Sequence, residues 1–211
     1  MFRAGQAVCL FCLPARFGFC LMDAFLSSAL GVFVAEIGDK TQLLTLFLAA
    51  RFANRHAVAA GILAATLLNH LVSAWFGVWL FAHVPPAAVK WTVGLSFIAV
   101  GLWLLVPDKD DGGGNARYLK YGAFAATAVL FFLAEIGDKT QIATVLLAAR
   151  YHDWLWVTAG STLGMMAANV PVAYWGGKLA AKVPARAVRP AACLLFVSLG
   201  VLTLCGGMSL G

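Results

Sequence analysis

The stretch Ala35-Glu-Ile-Gly-Asp-Lys-Thr-Gln42 recurs without change as Ala134-Glu-Ile-Gly-Asp-Lys-Thr-Gln141, an offset of 99 residues. The match continues as Thr45 to Thr144 and Leu48-Ala-Ala-Arg51 to Leu147-Ala-Ala-Arg150. After a one-residue slip, Asn69, Val72, Trp75 and Gly77 match Asn169, Val172, Trp175 and Gly177. The first offset returns at Val84-Pro85 and Val183-Pro184, and again at Gly101 and Gly200. Eight consecutive identical residues within one chain mark an internal duplication. Any fold must therefore accommodate the same unit twice, and find a place for the same charges twice.

Those charges stand in apolar surroundings. Of 211 residues, 62% are apolar and 11% charged, about half the charge of a soluble domain. A core of this size cannot hide so much apolar surface from water. A soluble single domain and a disordered chain are both excluded. The apolar runs fall at about 24–50, 56–82, 87–106, 119–149, 154–181 and 187–208. Each is long enough to cross ~30 Å of hydrocarbon at 1.5 Å per residue. The expected fold is all-α: a polytopic membrane protein of six transmembrane helices, arranged as two three-helix repeats.

The Gly-rich acidic stretch 108–117 reads as the joint. Repeat 1 is then 22–107 and repeat 2 is 118–211, with 1–21 an upstream extension or peripheral segment. An odd number of spans per half makes the second half enter the membrane upside down, the plan of many secondary transporters. Loop charges set the direction. With the N-terminus outside, the inner loops hold nine basic residues: Arg51, Arg55, Lys109, Arg117, Lys120, Lys178, Lys182, Arg186 and Arg189. The outer loops hold Lys90 and Arg150, joined by Arg3 and Arg16 if the first segment is translated. A cell (inner) membrane location with both termini outside is expected.

The net charge of +6 does not imply nucleic acid, because its lysines and arginines are scattered. Cys9-Leu-Phe-Cys12 has metal-ligand spacing but no second pair or histidine to complete a site, and the five cysteines imply no disulfide framework.

Glu36 and Asp39 fall about halfway along the first span, and Glu135 and Asp138 likewise in the fourth. One ionisable group at the bilayer centre costs about 2.5–3.5 kcal/mol, so four carboxylates with Lys40 and Lys139 would cost on the order of 15–20 kcal/mol unpaired. Such groups persist when they face each other or a wet cavity. Glu36 and Asp39 are spaced i, i+3 and would share a helix face. Thr41, Gln42, Thr140 and Gln141 add neutral oxygens. Gly38 and Gly137 allow either close helix approach or local unwinding that offers carbonyl oxygens.

Oxygen ligands suit hard divalent cations, Ca2+, Mn2+ or Mg2+, and disfavour Zn2+ and Cu+. Four carboxylates and two lysines leave two net negative charges, matched by one divalent cation or two protons. A site that holds either but not both is the minimum machinery of a cation/proton exchanger. The lysines can instead act as gates that pair with the carboxylates once the cation leaves. Asn69 and Asn169 are candidates for ligand support or helix glue. Thr45 and Thr144 are candidates to line the path. Trp75 and Trp175 read as packing or interface anchors, His70 as a packed histidine, and Arg51 and Arg150 as interfacial.

At the doubled Glu-Ile-Gly-Asp-Lys-Thr the chain resembles the GDT-type cation/proton antiporters, once catalogued as uncharacterised protein family sixteen. Their signature is Glu-x-Gly-Asp-(Lys/Arg)-(Thr/Ser), once per half; here it stands at 36–41 and 135–140. The resemblance covers Met22 to Cys205. It implies transport of Mn2+ or Ca2+ against H+, no cofactor, and for a short chain like this one manganese efflux. The alternatives are a Ca2+/H+ antiporter and an amino-acid exporter of related architecture. Clustered carboxylates would repel an amino-acid carboxylate. An intramembrane aspartyl protease needs Gly-x-Gly-Asp, where this chain has Glu36 and Glu135, so no enzyme is expected. Oligomeric state is not legible.

Overall fold

A computed structural model describes residues 14–106, 116–180 and 185–205. Every element among them is helical: α1 (Pro14–Glu36), α2 (Lys40–Arg51), α3 (Arg55–Ala82), α4 (Pro86–Trp103), a 3-10 turn (Ala116–Tyr121), α5 (Gly122–Glu135), α6 (Lys139–Tyr151), α7 (Trp154–Ala180) and α8 (Ala185–Cys205). Cys9, Cys12 and most of the 108–117 joint lie outside the described residues, as do the ends of the chain.

Local chemistry sets the boundaries. The Asn54 side chain accepts the Ala57 N–H at 3.0 Å and opens α3. Asp153 does the same for Leu155 and Trp156 at the start of α7. Pro86 occupies the first turn of α4, where its missing N–H costs nothing. The expected spans over 56–82, 87–106, 154–181 and 187–208 correspond to α3, α4, α7 and α8, within a few residues where described. The expected spans over 24–50 and 119–149 are each two helices, broken at the repeated motif. That break is the main departure from the expectation.

The halves interleave. α1 packs on α7, α3 packs on α5 and α6, and α4 packs on α8. α3 and α7 also pack on one another. Close approach depends on small residues: a Cβ on Gly160 or Gly164 of α7 would overlap the carbonyls of Phe25 and Ala29 on α1.

The outer surface is apolar. Trp75, Trp91, Trp175 and Leu194 are more than half exposed, while Glu36, Glu135, Thr41, Thr45, Thr144 and Asn169 are fully or almost fully buried. This inside-out distribution suits a hydrocarbon surround. Among the described residues, Arg55–Ala82 and Tyr118–Glu135 are long and apolar enough to cross a membrane by length and composition.

Candidate cation site

The motif does not run through a continuous helix. α1 stops at Glu36, Gly38 takes φ +80°, Asp39 is extended, and α2 begins at Lys40. The second copy repeats this: Glu135 ends α5, Gly137 has φ +76°, Asp138 is extended, and Lys139 begins α6. The expectation that Glu36 and Asp39 share a face of one helix is therefore corrected. Of the two roles open to Gly38 and Gly137, local unwinding is the one observed. A positive φ is cheap for glycine and strained for any residue with a Cβ.

Each break is held from within. Gln42 Oε1 accepts the Gly38 N–H at 2.9 Å, and Gln141 Oε1 accepts the Gly137 N–H at 2.7 Å. The Asp39 N–H donates to the Glu36 carbonyl, and the Asp138 N–H to the Glu135 carbonyl, both at 3.1 Å. The glutamines, read from sequence as neutral ligands, thus fasten the turns on which the carboxylates sit.

Other contacts cross between halves. Thr45 donates to Asn169 Oδ1 at 3.0 Å, and Gln42 Nε2 to the Ala168 carbonyl at 3.0 Å, joining α2 to α7. In the other half, Gln141 Nε2 donates to Asn69 Oδ1 and Asn69 Nδ2 to the Phe132 carbonyl, both at 3.3 Å, joining α3 to α6 and α5. Each asparagine therefore supports the motif of the opposite half.

Glu36 lies within electrostatic reach of Glu135, Asp39 and Asp138. Both Glu36 oxygens, Glu135 Oε1 and Asp138 Oδ2 are buried and accept no hydrogen bond. Asn169 flanks Glu36, but its amide donates to the Met165 carbonyl and sulfur, each at 3.2 Å. Thr140 Oγ1 donates to Glu135 Oε2 at 2.9 Å, whereas its counterpart Thr41 Oγ1 is buried without a partner. Thr144 turns back to the Thr140 carbonyl.

The lysines also differ. Lys40 Nζ lies 3.5 Å from Asp138 Oδ1, bridging the two motifs. Lys139 Nζ donates to the Val106 carbonyl at 3.1 Å and stands 5.7 Å from the Trp103 ring centroid. Among the described residues, no three His, Cys, Asp or Glu side chains close to metal-holding distance. A cation here would take neutral oxygens beside the carboxylates, and Thr41 Oγ1 is one within the motif. Hard cations accept such mixed oxygen sets.

Several residues sit elsewhere. His70 is fully buried with neither ring nitrogen bonded. Arg51 is exposed, but Arg150 reaches inward to the Leu199 carbonyl and Thr203 Oγ1, both at 2.7 Å. Met165, which receives the Asn169 amide, was not legible as part of the site. Its counterpart in the first half is Ala65, so the repeat carries no signal there.

Charged groups gathered at two helix breaks inside an apolar bundle define a membrane transporter of cations, not an enzyme. The chain belongs to the family described as divalent cation/proton antiporter GDT1, whose profile matches residues 24–112 and 123–210. A Vibrio cholerae protein named "Putative manganese exporter" is 44% identical over 184 residues, covering 87% of this chain and 91% of that one. A GDT1-like protein of Synechocystis is 29% identical, covering 87% and 97%. GDT1-like protein 5 of Arabidopsis thaliana is 26% identical, covering 87% and 96%. No solved structure matches the chain.

Proposed function

We propose that this protein exports Mn2+ from the cell by exchange with H+, at a single site shared by Glu36, Asp39, Glu135 and Asp138. The reading is supported by the three other carboxylates lying within electrostatic reach of Glu36, with buried oxygens that accept no hydrogen bond. Thr41, Gln42, Thr140, Gln141, Asn69 and Asn169 supply or position neutral oxygens. The name of the Vibrio cholerae relative favours Mn2+ over Ca2+. A Ca2+/H+ antiporter remains the second reading, since both ions are hard and take oxygen ligands.

The exchange follows from charge. Two net negative charges are balanced by one divalent cation or by two protons. A carboxylate holding a proton is a poor ligand, so loading one cargo expels the other. Lys40 moves between these states as a competitor for Asp138.

The architecture proposed is two inverted three-helix repeats, 22–107 and 118–211, joined at 108–117, with both termini outside the inner membrane. The mirrored contacts of Asn69 and Asn169 support it, and so do the basic inner loops.

The test is flux in proteoliposomes. An acidic trans compartment should drive Mn2+ uphill, with proton movement seen by a pH dye. Equal Mn2+ flux with and without a pH gradient, and no proton movement, would replace the antiporter with a uniporter or channel.

A further inference from the structure

The two halves are not alike at one rung. Gly77 of α3 packs so tightly on α6 that a Cβ there would overlap the Val145 carbonyl. At the matching rung Leu46 stands where Val145 does, and α7 meets it at Gly176, where an added Cβ would lie 3.1 Å from Leu46 Cδ1. Pro171 lies inside α7, and Gly176 leaves helical geometry at φ 34°, ψ −113°. The first half has Leu71 and Phe76 at these positions. α2 and α7 are joined at Thr45–Asn169 and stay packed beyond it, where Leu48, Ala49, Ala173 and Tyr174 belong to one apolar cluster. Beside this contact lies a groove of about 550 Å³, lined by Leu46, Ala49, Ala50, Arg55, Ala173 and Trp175.

The chemistry of this groove is amphipathic. Its lining sets apolar side chains beside Arg55 and Tyr174. The Arg55 guanidinium spends one N–H on the Tyr174 carbonyl, at 2.6 Å, and no carboxylate among the described residues pairs with it. His56 Nδ1 meets the Tyr174 hydroxyl at 2.6 Å, fixing the same corner. A guanidinium in the lining repels a divalent cation, so the groove is unsuited to be the metal's own entrance. The guanidinium's remaining N–H donors are left for an anion at the groove, beside aliphatic and aromatic lining side chains.

We propose that this groove is a binding site for an anionic phospholipid, its phosphate on Arg55 and one acyl chain between α2 and α7. Basic pockets between helices near a membrane surface take such head groups. The proposed topology puts the site in the inner leaflet, but the site itself does not depend on that assignment.

The experiment uses the purified, delipidated full chain in detergent. It is titrated with phosphatidylglycerol or with phosphatidylcholine of the same acyl chains, and read by native mass spectrometry and thermal melting. Phosphatidylglycerol is expected to remain bound and raise the melting temperature; phosphatidylcholine and free inorganic phosphate are not. Arg55→Gln should weaken phosphatidylglycerol about fivefold, the worth of one basic residue at an anionic surface. Ala50→Trp, which fills the exposed side of the slot and leaves Arg55 in place, should abolish it. Equal retention of both lipids overturns the proposal. So does unchanged phosphatidylglycerol binding in both variants when each elutes as the parent protein does.

Discussion

Lys40 of the first motif is paired with Asp138 of the second, Nζ to Oδ1 at 3.5 Å. The cation of one half thus neutralises a carboxylate of the other, at the point where a transported metal would need it. Asp138 is nearly buried, so the contact is shielded on its side, while Lys40 keeps partial access to water. Lysine is suited to this part, being a compact charge on a flexible stem.

Replacing Lys40 with Gln should separate binding from turnover. The site would gain net negative charge and lose its internal competitor, so Mn2+ affinity should rise while the transport rate falls. Equilibrium Mn2+ binding and proteoliposome flux, measured on the same preparation, check this. A parallel fall in both would assign Lys40 a merely structural part.

Asp39→Asn and Asp138→Asn should each abolish transport while leaving protein in the membrane. Each removes a ligand and upsets the charge balance together. The two variants should be equally inactive despite lying 99 residues apart. Near-normal metal export by either one would refute a shared site.

The duplication alone makes the pairing of motifs legible, because identical charged octets in apolar spans have few places to go. It does not reveal the helix breaks. Glycine at 38 fits a close contact as well as a turn, and only the positive φ distinguishes them. Nor can periodicity tell that Asn169 serves Thr45 of the other half, since a matched pair of asparagines fits pairing within a half equally well. Met165, Thr41 and the kink at Gly176 lie where the halves differ in neighbours or geometry, and a repeat is silent about its own asymmetries.

Gly137→Ala should destabilise the protein by about 1–2 kcal/mol, the cost of left-handed backbone for an L-residue. A Cβ at Gly137 meets nothing within 4 Å, so strain is the whole effect. Gly77→Ala should cost more, because its Cβ meets the Val145 backbone. Thermal melts in detergent rank them. Gly137→Ala as stable as the parent would mean that the break readjusts without strain.

Topology is tested by cysteine labelling from outside intact cells. A cysteine replacing Arg117 should be protected and one replacing Gly211 reactive, as the inner-loop charges require. The reverse pattern would overturn the proposed arrangement with both termini outside.

Metal affinity should fall as pH falls. The sign follows from the ligands: carboxylate oxygens bind Mn2+ only without their protons, so binding releases protons and added protons oppose binding. The four carboxylates influence one another, so the dependence belongs to the group and not to any one residue. Thr140 bonds Glu135 while Thr41 does not bond Glu36, so the two halves need not contribute equally. Glu36→Gln removes one titrating group and should flatten the pH dependence as well as weaken binding. Calorimetry of Mn2+ binding in buffers of different ionisation enthalpy reads the released protons directly. A count near two in the parent and lower in Glu36→Gln fits exchange at one shared site; binding that releases no protons at any pH would exclude it.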